Sequence, residues 1–322
     1  MTERFPPDCP FTAAQARDLG VTPDQLRARA ASGAVKQLLH GVYVPGSWVD
    51  TPTTRARAAA CVLPKHCVVV DRTAASLHGI DLFDYAELDA QPRLEVASIG
   101  GGAPTRRRGV LGGKRDLLPT DIVLVGGVPV TSPARTACDI ACLRGRHRAI
   151  GALDEFRTRF DLSEADLACF LPRFAGRRGV KQLRELIPLS RAGVDSQPES
   201  WIRIDAHDEG FPMPEPQVWV WVPGWGMAKV ENAYKGLRIG IEYDGEEHHS
   251  EDLDVAHDVA RREALRRAGW IILVVRRDGF SGPGREKWLT ELSDAFSERS
   301  PDPHRRRIYA RGPDSRPRPR WR

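Results

Sequence analysis

The sequence predicts an α+β protein with an amino-terminal winged helix-turn-helix, a small mixed α/β middle domain and a carboxy-terminal α/β domain. Two capped helices precede a short hairpin, and a later pair of strands carries carboxylates on alternate positions. The length of 322 residues is sufficient for two or three hydrophobic cores. The predicted parts are 1–60 winged helix-turn-helix, 61–150 middle domain, 151–189 helical connector, 190–299 α/β domain and 300–322 basic tail.

The first element is predicted from two capping boxes. Thr12 and Thr22 are each followed three residues later by a glutamine, and Pro23 stands at the first helical position of the second box. Gly33 ends the second helix, and apolar residues on either side of His40-Gly41 indicate a hairpin. Two helices followed by a β-wing are typical of a winged helix-turn-helix.

In that interpretation the second helix carries Gln25, Arg27 and Arg29, and the wing carries Lys36. Glutamine and arginine are suited to base edges, and lysine is suited to a phosphate. The same spacing also fits a generic small domain that binds protein or has no ligand, so the DNA-binding interpretation has an open alternative.

The amino-terminal part of the chain also resembles a known family, on the residues FTAAQARDLGVTPDQLRARAASGAVKQLLHGVYV, DRTAASLHGI and GVPVTSPARTACDIA. These segments resemble AbiEi-type antitoxins of bacterial toxin–antitoxin systems, to about residue 145. The resemblance implies a winged helix that binds operator DNA and represses its own operon. It also implies a cognate toxin as a partner.

Residues 151–189 read as connecting helices, one of them opened by Ser163 with Asp166 three positions on. Six cysteines without a C-x-x-C pair favour reduced, buried thiols over bridges or a metal site. The chain has no apolar run long enough to span a bilayer and no apolar leader, so we expect a cytoplasmic protein without membrane contact.

Carboxylates mark the carboxy-terminal domain. In KVENAYKGLRIGIEYDGEEHH, Glu242 and Asp244 share one strand face, and a turn at Lys235-Gly236 allows Glu231 to face them. Such carboxylates repel one another unless a hard cation such as Mg²⁺ neutralises them, and a bound metal can polarise a phosphodiester. His248 and His249 follow as candidate general bases or acids. A solvated polar face would show the same spacing.

The surrounding residues extend this pattern: Glu199 in an opening helix, IEYDG at 241–245, D-x-x-R-x-x-x-L at 258–265 and GW at 269–270. Together they resemble the very-short-patch-repair-like endonucleases of the PD-(D/E)xK restriction-fold superfamily, over residues 190–280. The resemblance implies Mg²⁺ or Mn²⁺ at Glu231, Glu242 and Asp244, with Glu199 in support and a histidine assisting proton transfer. That family has aspartate in place of Glu231, and its general pattern has lysine in place of Asp244.

The tail holds most of the net charge of +5, because 300–322 has eight arginines against two aspartates. It is expected to be disordered, either as a phosphate-binding arm or as a solubilising segment. The predicted function is DNA binding coupled to Mg²⁺-dependent phosphodiester hydrolysis, with double-stranded DNA as substrate and a homodimer as one candidate assembly. The alternative is a non-enzymatic, antitoxin-like autoregulator on a degenerate nuclease fold.

Overall fold

The computed structural model describes residues 5, 7–82, 93–245 and 252–300, and it divides into two compact units, Met1–Ile140 and Ala141–Arg322. The chain is mixed α+β, and the described part contains three sheets. Within the described residues, no helix combines the length and apolar character that crossing a bilayer requires.

The first unit begins with a small three-stranded sheet and two short helices. Its elements are β1 Phe11–Thr12, α1 Ala13–Asp18, α2 Pro23–Ala31, β2 Val35–Leu39 and β3 Val42–Pro45, with sheet order β1-β3-β2. Both predicted capping boxes are present, since each threonine hydroxyl accepts from the glutamine N–H and each glutamine side chain bonds back. Gly33, with a φ of 75°, follows the second helix as predicted. The predicted hairpin around His40-Gly41 is confirmed.

A five-stranded mixed sheet forms the rest of this unit, in the order β6-β5-β4-β8-β7. Strand β4 pairs antiparallel with β5 and parallel with β8. The elements are α3 Pro52–Ala60, β4 Cys67–Val69, α4 Asp71–Leu77, β5 Leu94–Ser98, β6 Val110–Lys114, β7 Ile122–Val125, β8 Val128–Thr131 and α5 Pro133–Leu143. Helices α3 and α4 contribute alanines to the core beneath the sheet, including Ala56, Ala59 and Ala74.

The second unit starts with helices and continues into a four-stranded sheet with further helices. Its elements are α6 Arg146–Phe160, α7 Glu164–Ala168, α8 Val180–Leu186, α9 Gln197–Asp208, β9 Glu215–Val222, β10 Gly226–Tyr234, β11 Ile239–Asp244, α10 Asp252–Arg267, β12 Ile271–Arg276 and α11 Gly282–Arg299. From α9 to β12 the order is the predicted one: helix, three strands, helix, strand. Strands β9, β10 and β11 pair antiparallel in sequence, and β12 joins β11 in parallel.

Helices cover both faces of this sheet. Ile202 of α9 and Leu289 of α11 pack with Ile241 on one face, while Leu265 of α10 packs with Val218 and Val230 on the other. The predicted alternation along β11 is confirmed, because Ile239 and Ile241 are in the first core and Tyr243 packs against it. The expectation of buried cysteines holds for Cys67 and Cys138 but is wrong for Cys9, Cys61 and Cys169, which are exposed.

Candidate functional site

Four carboxylates of the predicted site come from three neighbouring elements. Glu199 lies in the first turn of α9, Glu231 on β10, and Glu242 and Asp244 on β11. Asn232 pairs with Ile241, so Glu231 and Glu242 stand next to this pair on adjoining strands. The fold therefore brings the predicted carboxylates into one region, as their spacing suggested.

Glu242 is fully buried and bound by two arginines of α10. Arg261 donates from Nη1 to Oε1 at 2.7 Å and from Nη2 to Oε2 at 2.9 Å. Arg262 donates from Nε to Oε2 at 2.9 Å. Two-point contact between a guanidinium and a carboxylate is the strongest geometry available to such a pair, so both oxygens of Glu242 are engaged.

The same two arginines also face the neighbouring aspartates. Arg262 approaches Asp244 at 3.4 Å, and Arg261 approaches Asp258 of its own helix at 3.4 Å. A hydrogen bond from Arg261 to the carbonyl of Lys229 ties the helix to β10 as well. The charge that neutralises these carboxylates is therefore supplied by α10 itself.

Glu231 has a backbone partner. Its Oε2 accepts a hydrogen bond of 2.7 Å from the N–H of Tyr243, one residue beyond Glu242. Burial raises the pKa of Glu231 to about 8, and the Glu199 and Glu242 carboxylates add to the rise. The hydrogen bond from the Tyr243 N–H opposes this rise in the pKa, and it extends the contact between β10 and β11.

Glu199 is held by hydrogen bonds from two polar side chains. Ser196 Oγ donates to its Oε1 at 2.8 Å, and the Gln217 amide donates to its Oε2. Burial raises the pKa of Glu199, while the hydrogen bond from Ser196 lowers it. Its main-chain carbonyl accepts from Asn232 at 3.3 Å, which links α9 to β10.

The strand alternation that predicted the position of Glu231 is interrupted. Val230 and Ala233 both pack in the core beneath α10. They are three positions apart, so a regular strand would place them on opposite faces. On the neighbouring strand Gln217 has a φ of 55°, which is uncommon for a residue other than glycine. Both β9 and β10 are therefore irregular around Gln217 and Glu231. Glu231 reaches the Tyr243 N–H instead of lying opposite Glu242 in a regular strand pair.

These residues do not fit the Mg²⁺ or Mn²⁺ site expected at Glu231, Glu242 and Asp244. A divalent cation of this type needs free carboxylate oxygens, but both oxygens of Glu242 are engaged by two guanidinium groups, and Oε2 of Glu231 accepts from the Tyr243 N–H. In the part of the chain that the structure describes, no three acidic, histidine or cysteine side chains are grouped as a metal would require. His248 and His249 lie outside the described residues.

The four predicted DNA-contacting residues differ in the contacts that their side chains make within the protein. Gln25 closes the capping box through a 2.9 Å bond from the Thr22 N–H, and the Lys36 ammonium donates to the Trp48 carbonyl. Arg29 stacks over the Phe5 ring with its guanidinium carbon 4.9 Å from the centroid. Arg27 pairs with Asp24, yet its side chain is 77% exposed.

A second charged cluster, in the first unit, was not anticipated. Arg135 is fully buried and contacts Asp121 at 3.0 Å and Asp139 at 2.8 Å. Arg115 bridges Asp139 and Asp71 at 2.8 and 2.7 Å. The only signal in the sequence is charge interspersed among small apolar residues in DRTAASLHGI and TSPARTACDIA, which does not reveal pairing between distant segments.

Arg261 and Arg262 were likewise missed as partners of Glu242. The D-x-x-R spacing at Asp258 and Arg261 places both on one helix face, but the spacing does not say which strand that face meets. Only the crossover of α10 between β11 and the parallel β12 brings the two arginines over Glu242.

Comparisons with known proteins agree with the antitoxin resemblance. Residues 59–189 match the family model for the AbiEi antitoxin C-terminal domain, which covers the predicted middle domain and the connector beyond it. Two uncharacterized proteins of Mycobacterium tuberculosis, MT2308 and Rv2248, are each 28% identical over 269 residues, or 82% of this chain and 94% of theirs. Over residues 59–189, this chain is similar to the AbiEi antitoxin C-terminal domain.

Proposed function

We propose that this protein is a DNA-binding, antitoxin-like transcriptional autoregulator whose last domain has a nuclease-type fold without metal-dependent catalysis. The match of residues 59–189 to the AbiEi antitoxin C-terminal domain carries the proposal. The ion pairs at Glu242 favour it over the nuclease alternative, because the central carboxylate of the predicted catalytic site is committed to two arginines.

DNA binding is assigned to residues 11–45, which we infer to be a winged helix. Its helices α1 and α2 are separated by the Gly20 turn, and the β2–β3 hairpin follows as the wing. Helix α2 would enter the major groove with Arg27 on its exposed side. The wing would lie along the phosphates, and Lys36 would have to leave its contact with the Trp48 carbonyl to reach one.

The carboxy-terminal sheet is assigned a structural role. The helix, three strands, helix, strand order and the β12-β11-β10-β9 sheet support a restriction-type architecture. In that architecture the strand carboxylates would normally hold the metal. Here Arg261 and Arg262 supply fixed positive charge at the same place, so the charge of Glu242 is neutralised without a cation.

The decisive experiment measures binding of the full chain to the DNA upstream of its own reading frame, with a shuffled duplex of equal length as competitor. We expect a clear preference for the upstream DNA at physiological salt. Arg27→Ala should weaken specific binding roughly tenfold, as loss of one base-reading arginine does. Arg184→Ala, an exposed arginine on α8 of the other unit, is the matched control and should bind normally. Equal affinity for both duplexes would refute the autoregulator.

Nicking of supercoiled plasmid with Mg²⁺ and with Mn²⁺ tests the alternative in the same preparation. The proposal requires no cleavage by the wild type. Cleavage that disappears in Glu242→Ala, while binding by that variant persists, would restore the nuclease prediction and show that the arginines move aside for a metal.

A cognate toxin is proposed as the protein partner, on the strength of the family match. The test is co-expression of this chain with the product of the adjacent reading frame. Rescue of growth, together with co-purification of the two proteins, is the expected result. A neighbouring product that is harmless when expressed alone would leave this chain without a toxin to neutralise and would contradict the assignment.

A further inference from the structure

The outer face of the β9–β10 hairpin is covered by apolar side chains that lie in solvent. Trp219 is 57% exposed, Trp221 is 72% exposed and Met227 is 53% exposed. Trp221 pairs directly with Met227 across the two strands, and Trp219 pairs with Lys229, so these side chains form one patch. Exposed tryptophans grouped in this way are characteristic of interaction surfaces.

The patch adjoins an open sheet edge. In the order β12-β11-β10-β9, strand β9 is terminal, and among the described residues its one strand neighbour is β10. Natural edge strands usually carry charged residues that discourage pairing with another chain. Residues 216–228, PQVWVWVPGWGMA, contain no ionisable side chain. From Val218 to Val222 the strand carries neither a charged residue nor a proline.

We propose that β9 is a dimerisation strand, which pairs antiparallel with β9 of a second copy of this chain to form a continuous eight-stranded sheet. A two-fold axis at Val220 places Trp219 opposite Trp221 of the second copy, and Val218 opposite Val222. Pro216 and Pro223, which lack an N–H, then lie just outside the paired segment. Each copy thus contributes two tryptophans to two equivalent cross-strand pairs.

The charged residues near β9 do not oppose pairing of this strand with β9 of a second copy. Glu215, the acidic residue nearest to the paired segment on β9, falls opposite Trp225 of the second copy in this register, so no like charges meet. Lys229 is already paired with Asp195 of its own chain. A neutral patch with its nearest cation neutralised favours another neutral patch over the phosphates of a nucleic acid.

The size of the patch indicates a weak dimer. Two tryptophans and one methionine at these exposures offer on the order of 400 Å² of apolar surface per copy. A standard stable interface buries about 800 Å² per partner, so we expect a dissociation constant on the order of 10 µM. The proposal does not depend on DNA binding, and its test is independent of it.

The test is sedimentation velocity of the full chain over concentrations from about 1 µM to about 200 µM. Wild type should change from monomer to dimer across this range. The double variant Trp219→Lys with Trp221→Lys places lysine opposite lysine and should remain monomeric. The double variant Trp219→Lys with Trp221→Glu places lysine opposite glutamate and should recover at least tenfold in affinity over the double lysine variant.

Leu124→Lys is the matched control, because Leu124 is also 72% exposed and lies on β7, the edge strand of the other large sheet. It should dimerise like wild type. A wild type that stays monomeric, a control that abolishes the dimer, or equal behaviour of the two double variants would each overturn the proposal. Loss of single-stranded DNA binding in the tryptophan variants, with the oligomeric state unchanged, would identify the patch as a base-stacking surface instead.

Discussion

Arg261 binds Glu242 through two parallel hydrogen bonds, and the carboxylate they reach has no exposure to solvent. A buried ion pair of this geometry is stable only while both partners remain, because either charge alone would be desolvated without compensation. The residue that the sequence marks as the centre of a metal site is therefore bound into the connection between β11 and α10.

Glu242→Ala is expected to destabilise the second unit by about 3 to 5 kcal/mol, because it leaves two guanidinium groups without their shared anion. Denaturant unfolding of the full chain measures the effect. Asp258→Ala is the control: Asp258 contacts the same Arg261 at 3.4 Å from the surface, and its loss should cost about 1 kcal/mol or less. A stabilised Glu242→Ala would instead reveal repulsion among the carboxylates, as in an empty metal site.

Glu231 predicts a dependence of stability on pH. Its pKa is about 8 in the folded chain and lies near its ordinary value of about 4.5 when unfolded. Between these values the folded state holds a proton that the unfolded state releases, so this group's contribution to stability falls as pH rises and is lost above about 8. Glu231→Gln cannot release a proton there.

The stability of Glu231→Gln relative to wild type should therefore be higher at pH 8 than at pH 5. The measurement is the difference in unfolding free energy between the two proteins at each pH, which cancels the other titrating groups. A difference that stays constant would mean that Glu231 is ionised throughout and would reopen its candidacy as a metal ligand.

Arg135 predicts a strict requirement for guanidinium in the first unit. Arg135→Lys keeps the charge, but the compact ammonium group lacks the planar fork with which the guanidinium contacts both Asp121 and Asp139. We expect both Arg135→Ala and Arg135→Lys to lose on the order of 3 kcal/mol or more. Amide hydrogen exchange of peptides from β8 and α5 would locate the loss, and the exposed Arg106→Ala should show none.

Gly240 predicts a packing limit between β10 and β12. A Cβ at this position would lie 2.7 Å from Val230 Cγ1 and 2.8 Å from Ile272 Cδ1, so Gly240→Ala should destabilise by about 1 to 3 kcal/mol. Gly236→Ala is the matched control in the preceding turn, because nothing lies within 4 Å of its added carbon. Equal thermal unfolding of the two variants would contradict the tight packing at Gly240.

Local features of the fold could be predicted because their causes are local. The Thr22 and Gln25 capping box requires only four consecutive residues, and the alternation of Ile241 and Glu242 requires one strand. The order of strands in the five-stranded sheet depends on pairings between distant segments, such as Val69 with Val130, and no short pattern encodes it.

The candidate site also combines local features that the sequence predicts with long-range contacts that it does not. The sequence identifies Glu231 and Glu242 as neighbours, but it cannot show that Gln217 adopts a positive φ beside them or that two arginines arrive from α10. The sequence alone does not distinguish a glutamate that binds a metal from a glutamate that pairs with arginine. The chemistry differs only through partners that are 19 and 20 positions away.

The hydrogen bond from the Tyr243 N–H to Glu231 sets a minimum length for the side chain at this position. Aspartate is one methylene shorter and would fall short of the amide by on the order of 1 Å. Glu231→Asp would therefore weaken the contact between β10 and β11. The length of one side chain is thus matched to the backbone of the neighbouring strand.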